Sequence, residues 1–378
     1  MIDTQATPVV SLQAPKDVSV SQVEQELSKI WQSYGEHAAA RATTFNLIVY
    51  ESETNNSSKN GLVDAIASQS PCRVISLVSV DGEDEGITAQ VAAYCPIQKS
   101  RSALICGEYI TLEGSKEALK RVHTLLPDLI VPDLPVFLWW QGSPAPNTHL
   151  FERLLNLSDR IIFDSSLFAE PEADLQKIGE MIDAGAQVAD LNWRRLGPWQ
   201  ELTAQAFDPP DRRAAIWEVD RITIDYERGN NTQALMFLGW IASRLNWQPV
   251  SLTKQGGDYN IHVITFKGKN DMHVEAELAA IPTADPGEVV GDLIGLSLTS
   301  TNPDVANACN VFCSESMGCM RMEASGRAQT CHIHQVTTLA DQRADTLLSQ
   351  QLQRWGQEVL YEESTAVTAK ILRLFQVG

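Results

Sequence analysis

Apolar and polar positions along the chain follow two regimes. From Val20 to Tyr34, the residues Val23, Leu27, Ile30, Trp31 and Tyr34 recur at helical spacing on one stripe. Residues 45–50 (FNLIVY), 74–80 (VISLVSV) and 134–140 (LPVFLWW) are continuous apolar runs. Such runs predict strands buried on both faces, as in parallel sheets. Helical patterns stand between them at Leu62–Ser68, Lys116–Leu126, Leu150–Leu157 and Glu172–Ala184, with further strands at Thr88–Cys95, Ala103–Leu112 and Arg160–Asp164. Strands alternating with helices in this way predict an α/β domain with a largely parallel sheet. Ligands of such sheets sit beyond the carboxyl ends of the strands. The positions to watch are therefore those after Trp140 and the run Asp164-Ser165-Ser166.

A stretch rich in Trp, Arg and Pro follows, DLNWRRLGPWQELTAQAFDPPDRR, and Pro209-Pro210 marks a boundary within it. The expected division is an α/β domain over residues 1–208 and an α+β domain over 209–378. In the second domain a strand at Ala215–Tyr226 precedes a helix at Thr232–Leu245. Residues 259–267 and 272–281 alternate between apolar and polar, and 289–299 with two cysteine-bearing stretches extends them into an antiparallel meander. Two helices, Leu339–Leu360 and Glu363–Phe375, close the pattern.

Composition narrows the function. In 378 residues, 48 acidic against 29 basic side chains leave a net charge of −19. Nucleic-acid binding requires cations that displace phosphate counterions, and anionic lipid attracts the same cations, so neither is an expected partner. Solubility accounts for the acidity, and so does a basic partner. Residues 1–15 lack a basic region followed by an apolar run, and no apolar stretch approaches the roughly 20 residues that span a bilayer. A cytoplasmic protein is expected, in which seven cysteines are not a structural disulfide framework.

No G-x-G-x-x-G follows the first strand, and neither a G-x-x-x-x-G-K-[ST] loop, H-E-x-x-H nor G-x-S-x-G occurs. The expectation is a scaffold with no cofactor and no catalytic residues. His332 and His334, like Glu275 and Glu277, share a strand face that reads as solvent-facing.

Candidate chemistry concentrates in Cys309, Cys313, Cys319 and Cys331. Zinc or an iron–sulfur centre would suit four thiolates, although C-x3-C-x5-C-x11-C lacks the usual C-x2-C knuckle. Neighbouring thiols could instead close a redox-sensitive disulfide, or serve as small hydrophobes of a core. Ser314, Glu315, Ser316 and Gly318 favour an accessible loop, and with it the redox reading. Trp193, Arg194, Arg195 and Trp199 form the second candidate set. They read equally as packing at a domain junction or as a partner interface, where Trp and Arg are enriched.

Four segments in order, DLPVFLWWQGSPAP (133–146), DRIIFDSS (159–166), DLNWRRLGPWQELTAQAFD (190–208) and NNTQALMFLGWIASRLNW (230–247), resemble the glucose-6-phosphate dehydrogenase assembly family, OpcA. The stretch NACNVFCSESMGCMRMEA (307–324) looks like the cyanobacterial form. The resemblance implies a non-enzymatic partner that binds glucose-6-phosphate dehydrogenase and favours its active oligomer, with thioredoxin linking it to light and dark. It supplies no catalytic residues. Within that reading Cys313 and Cys319, with Gly318 between them, are the preferred disulfide pair. Cys309–Cys313 ranks second and Cys331 is the reserve. The competing expectation is a metal-binding or sugar-phosphate enzyme using the α/β domain.

Overall fold

The three continuous apolar runs pair with one another in the computed structural model. It describes the chain apart from residues 1–8, 12–13, 34–38, 42, 52–65, 67–70, 97–103, 211–212, 284–288, 303–308, 315–318, 325–332, 339–342 and 378. Packing divides the chain into two units. The first comprises Met1–Asp164, Ala186–Ala189 and Ala344–Gly356; the second comprises Ser165–Gly185, Asp190–Arg343 and Gln357–Gly378. Residues 165–185 and 190–208 thus fall in the second unit, ahead of the expected boundary at 208/209.

In the first unit, β1 (Val9–Ser11), β2 (Lys16–Val18), helix α1 (Val23–Ser33), β3 (Ala39–Arg41), β4 (Asn46–Glu51), β5 (Arg73–Ser79), β6 (Thr88–Pro96) and β7 (Leu104–Gly114) come first. β8 (Val136–Trp140), helix α2 (His149–Leu157), β9 (Arg160–Phe163) and β10 (Val188–Asp190) follow. The sheet runs β1-β6-β7-β5-β4-β8-β9-β10, with β2 paired to β6 and β3 to β7. β7, β5, β4, β8 and β9 are mutually parallel, whereas β6 is antiparallel to β7. Both faces of the parallel strands are covered: Leu47, Ile48, Val49, Ile75, Leu77, Leu138, Ile161 and Ile162 are fully buried. The largely parallel α/β expectation is met, with an antiparallel edge at β6, β1 and β2.

Strands β5 and β7 of that sheet are tied to α1 by one buried cation. Arg73, at the start of β5, is 2% exposed. Its Nε donates to Glu108 Oε2 of β7 at 2.7 Å, and Nη1 donates to Glu24 of α1 at 2.5 Å and to the Leu129 carbonyl at 2.6 Å. Trp31 Nε1 of α1 donates to the other Glu108 oxygen at 2.7 Å. The helix stripe read from the sequence is therefore anchored by ion pairs as well as by its apolar face.

One helix differs from expectation. Instead of a single span from Leu339 to Leu360, a helix covers Ala344–Leu352 and stops. The chain beyond it turns against the first sheet: Arg160 donates to the carbonyls of Arg354 (2.7 Å) and Gly356 (2.6 Å). Trp355 packs edge-on against Phe45 and Phe137, with ring centroids 6.4 and 5.8 Å away. Those tertiary partners break a pattern that the sequence reads as continuous.

The second unit contains helices α3 (Pro171–Asp183), α4 (Leu191–Arg195) and α5 (Gly197–Phe207), then β11 (Arg221–Glu227) and α6 (Thr232–Arg244). β12 (Gln248–Gly256), β13 (Ile261–Lys267), β14 (His273–Ile281), β15 (Leu293–Thr299), β16 (Cys309–Ser314), β17 (Cys319–Ala324), β18 (Ile333–Thr338) and α7 (Val359–Val377) complete it. The expected strand at Ala215–Tyr226 is replaced by a 3-10 turn at Ala215–Glu218 followed by β11. Sheet order is β12-β13-β14-β11-β15-β16-β17-β18, with β11 parallel to β14 and β15 to β18 antiparallel in sequence. The expected meander is split in two: β12–β13–β14 and β15–β18 are each antiparallel, and β11 is inserted between β14 and β15. α6 packs against α7 at Gly239, where a Cβ would stand 2.8 Å from the Ser364 carbonyl oxygen. Among the described residues no helix is long and apolar enough to cross a membrane.

Arg73→Ala is expected to lower unfolding stability by about 3–5 kcal/mol, because it strands the Glu108 charge in the interior. The double change Arg73→Met with Glu108→Leu should recover most of that loss. Urea titrations of the two variants measure both; equal losses would contradict the role of the pair.

Candidate functional site

Asp190 opens α4 and is 2% exposed. A buried carboxylate must be met by donors, and its Oδ1 accepts from the backbone N–H of Asn192 (2.9 Å) and of Ser165 (3.0 Å). Asn192, fully buried, donates through Nδ2 to Thr232 Oγ1 at 2.8 Å. Its Oδ1 accepts from Gln233 Nε2 at 2.9 Å and from Arg195 Nη1 at 3.3 Å. Gln233 also donates to Asp292 Oδ1 at 2.5 Å and accepts from the Leu293 N–H at 3.3 Å. Asn230 completes the set. Its Oδ1 accepts from the Thr232 N–H (2.9 Å) and hydroxyl (2.6 Å), and its Nδ2 donates to the Ser165 and Ser166 carbonyls at 3.1 and 3.2 Å. The hydroxyl of Tyr361 on α7 titrates well above the usual tyrosine range, through burial first and the nearby Asp190 charge second.

Network members Ser165, Asp190, Asn192, Asn230, Thr232 and Gln233 come from three of the four segments that carried the resemblance. Sequence reading stopped at the Trp and Arg residues there and passed over these amides. The usable signal was the density of Asn, Asp, Thr and Gln around helix starts, which are the residues that cap and bridge.

Trp193, Trp199 and Arg195 are buried at 7%, 3% and 4% exposure. The Trp193 ring lies 5.5 Å from that of Tyr361. Arg194 pairs with Glu358 at 3.5 Å. Cys309 and Cys313 stand on β16 and Cys319 begins β17, strands in which the meander reading places the cysteine-bearing stretches, while residues 315–318, read as an accessible loop, lie outside the described residues. In register, Cys313 pairs with Met320, Cys319 with Ser314 and Cys309 with Leu298. Cys331 lies outside the described residues, as do the side chains of the other three, so the metal alternative for this cluster falls there too. α5, the helix of Trp199, lies alongside β16 and β17. Both candidate sets therefore meet within one unit.

Cysteines of the first unit behave differently from each other. Cys72 is a buried free thiol, pushed up to about 12 by burial. Cys106 on β7 is disulfide-bonded. The β6–β7 ladder pairs Tyr94 with Gly107, and the next residues along the two strands are Cys95 and Cys106.

At the carboxyl ends of β4 and β8, where the strand order reverses, a Rossmann-type sheet would receive its ligand. There Tyr50 stacks on Trp140 with centroids 4.0 Å apart and planes within 10°. Trp140 Nε1 donates to the Ser143 carbonyl at 3.0 Å, and Phe151 packs edge-on against its ring.

Comparison with known proteins is decisive at this point. The glucose-6-phosphate dehydrogenase subunit N-terminal domain matches residues 63–180, and the C-terminal domain of the same subunit matches residues 186–365. The chain belongs to the OpcA family. It is 46% identical to an OxPP cycle protein OpcA of Nostoc punctiforme, across 98% of this chain and 96% of the relative. The OpcA of Synechocystis is 44% identical, across 100% and 96%. Among solved structures, an NAD binding oxidoreductase from Klebsiella pneumoniae covers 89% of this chain and 97% of its own, at 8% identity and a TM-score of 0.48. A likeness that remote carries no argument about OpcA chemistry. The family match runs through every segment of the buried network.

Asn192→Leu removes one donated and two accepted hydrogen bonds from the network at once. We expect a loss of about 2–4 kcal/mol in chemical unfolding, since Thr232, Gln233 and Arg195 each lose a buried partner. Asn192→Asp should be milder at the Arg195 side. A variant at wild-type stability would show that the network is dispensable.

Proposed function

We propose that this OpcA chain binds glucose-6-phosphate dehydrogenase and raises its activity by favouring the active oligomer, with no turnover of its own. Three things support the reading: the name of the family, the missing nucleotide loop, and the aromatic stack at the sheet position where a cofactor would sit. An activator must bind the active state more tightly than the inactive one. A coupling of roughly 1–3 kcal/mol shifts apparent affinity about 5- to 150-fold.

The observation that carries a redox-gated version is the run of α5 alongside β16 and β17. Cys313 and Cys319 are one register step apart from being partners. Adjacent strand positions alternate faces, so joining this pair asks the hairpin to slip. A slip re-faces the whole ribbon beside α5, which continues from the Asp190–Asn192 network. Oxidation closes a seven-residue loop, worth about 2.4 kcal/mol in the chain-entropy model. That is commensurate with the coupling, and thioredoxin would reverse it by thiol–disulfide exchange. Arg194, paired to Glu358, is the member of the Trp–Arg set offered to the dehydrogenase.

In a dehydrogenase activation assay run under oxidant and then reductant, Cys313→Ser or Cys319→Ser should abolish the difference. Cys72→Ser and Cys106→Ser should retain it. Peptide mapping of the oxidised chain identifies the bond directly, and finding both Cys313 and Cys319 free would remove the switch. Arg194→Ala should weaken capture of the dehydrogenase without shifting the melting temperature by more than a few degrees. Reduction of a nicotinamide cofactor by the purified chain alone would overturn the non-enzymatic reading.

A further inference from the structure

The second unit contains a cleft of about 470 Å³ where the start of α3, the end of β11 and the start of β13 meet. That volume is within the roughly 300–1,000 Å³ of small-molecule sites. Its floor is Tyr226 and His262, 3% and 5% exposed, with Ala280 beside them. Glu172 and Asn231 form a wall, and Glu170 and Arg228 stand at the rim.

Two buried polar atoms on this lining have no protein partner. One is Nδ1 of His262 and the other is Oδ1 of Asn231. The Asn231 amide is oriented by its other end, where Nδ2 donates to Glu172 Oε1 at 3.0 Å. His262 is held edge-on against Phe375 of α7, with centroids 5.0 Å apart. Burial, with a smaller contribution from Lys254, holds its imidazole below the usual histidine range against the opposing charge of Glu172. The ring is therefore neutral at pH 7, and a neutral imidazole can give or accept a hydrogen bond according to tautomer. Burial likewise pushes the Tyr226 hydroxyl up to about 12 and keeps it a neutral donor. A buried polar atom without a partner is costly, so two on the wall of one cleft point to a ligand that supplies the partners.

Charge decides which kind. Glu170 and Glu172 are balanced by Arg228 at the rim and Lys254 beside His262. Arg228 already donates to the Asp258 carbonyl. An anion meets two carboxylates and a multiply charged cation meets two cationic side chains. A metal ion needs three clustered ligands, and among the described residues no such group exists. What remains is a ligand that both donates and accepts without net charge. We propose that this cleft binds a small, neutral, hydroxyl-rich molecule of the sugar or polyol class, read by Glu172, Asn231, His262 and Tyr226.

The test uses the full-length chain without any dehydrogenase, so its outcome is independent of the proposed activation. Titration calorimetry would take glucose and glucitol as neutral probes, inorganic phosphate as an anion and putrescine as a cation. At least one neutral probe should bind saturably, and Asn231→Leu and Glu172→Leu should each weaken it about ten-fold or more. Hydrogen-exchange protection on binding should fall on peptides covering 226–231 and 260–262, which keeps the site testable if a variant misfolds. Binding of phosphate or putrescine alone, no saturable binding of any probe, or protection elsewhere would each overturn the assignment.

Discussion

A buried carboxylate organises the second unit. Asp190 can stay charged in the interior only if donors converge on it. The two N–H groups that do so belong to Ser165 and to Asn192, and they fix the start of α4 against the residues that open the unit. From there the constraint propagates by necessity. Asn192 must find partners in Thr232 and Gln233, and Gln233 finds Asp292 and the start of β15. A buried polar chain of this kind defines one arrangement of helices against sheet, because any slip leaves a buried amide unpaired.

In the first unit Arg73 plays the corresponding part. Its guanidinium joins β5, β7, α1 and the segment at Leu129, elements that a hydrophobic core would hold together less specifically. The parallel strands supply the bulk of the burial and the ion pair supplies the register. The stacked Tyr50 and Trp140 rings show the same sheet used as a packed scaffold at the end where related architectures bind nucleotides.

In the second unit α4, the helix that opens at Asp190, is followed by α5. That helix begins where the Trp–Arg segment ends and runs beside the cysteine-bearing strands. Packed elements respond to a change at their edge by switching between discrete arrangements. The β16–β17 hairpin thus lies beside the helix that follows α4 in the chain. The cleft at Tyr226 and His262 is lined by other residues of the same unit, among them Asn230, a member of the network, and its neighbour Asn231.

The sequence by itself determined the strands with continuous apolar runs, the amphipathic α1, the alternating strands of the meander and the family. Period and composition are local properties, and so they survive in a linear reading. Only the tertiary structure decided the rest. It broke the expected Leu339–Leu360 helix because Arg160 and the Phe45–Phe137 pair claim the carbonyls and the indole beyond Leu352. It set Cys313 opposite Met320, since register depends on a partner strand and not on the loop residues between. It turned Trp193, Trp199 and Arg195 inward, and it gathered Ser165, Asp190, Asn192, Asn230 and Gln233 from distant positions into one network. A polar side chain's role is fixed by whether burial denies it water, and burial is set by residues far away in the chain.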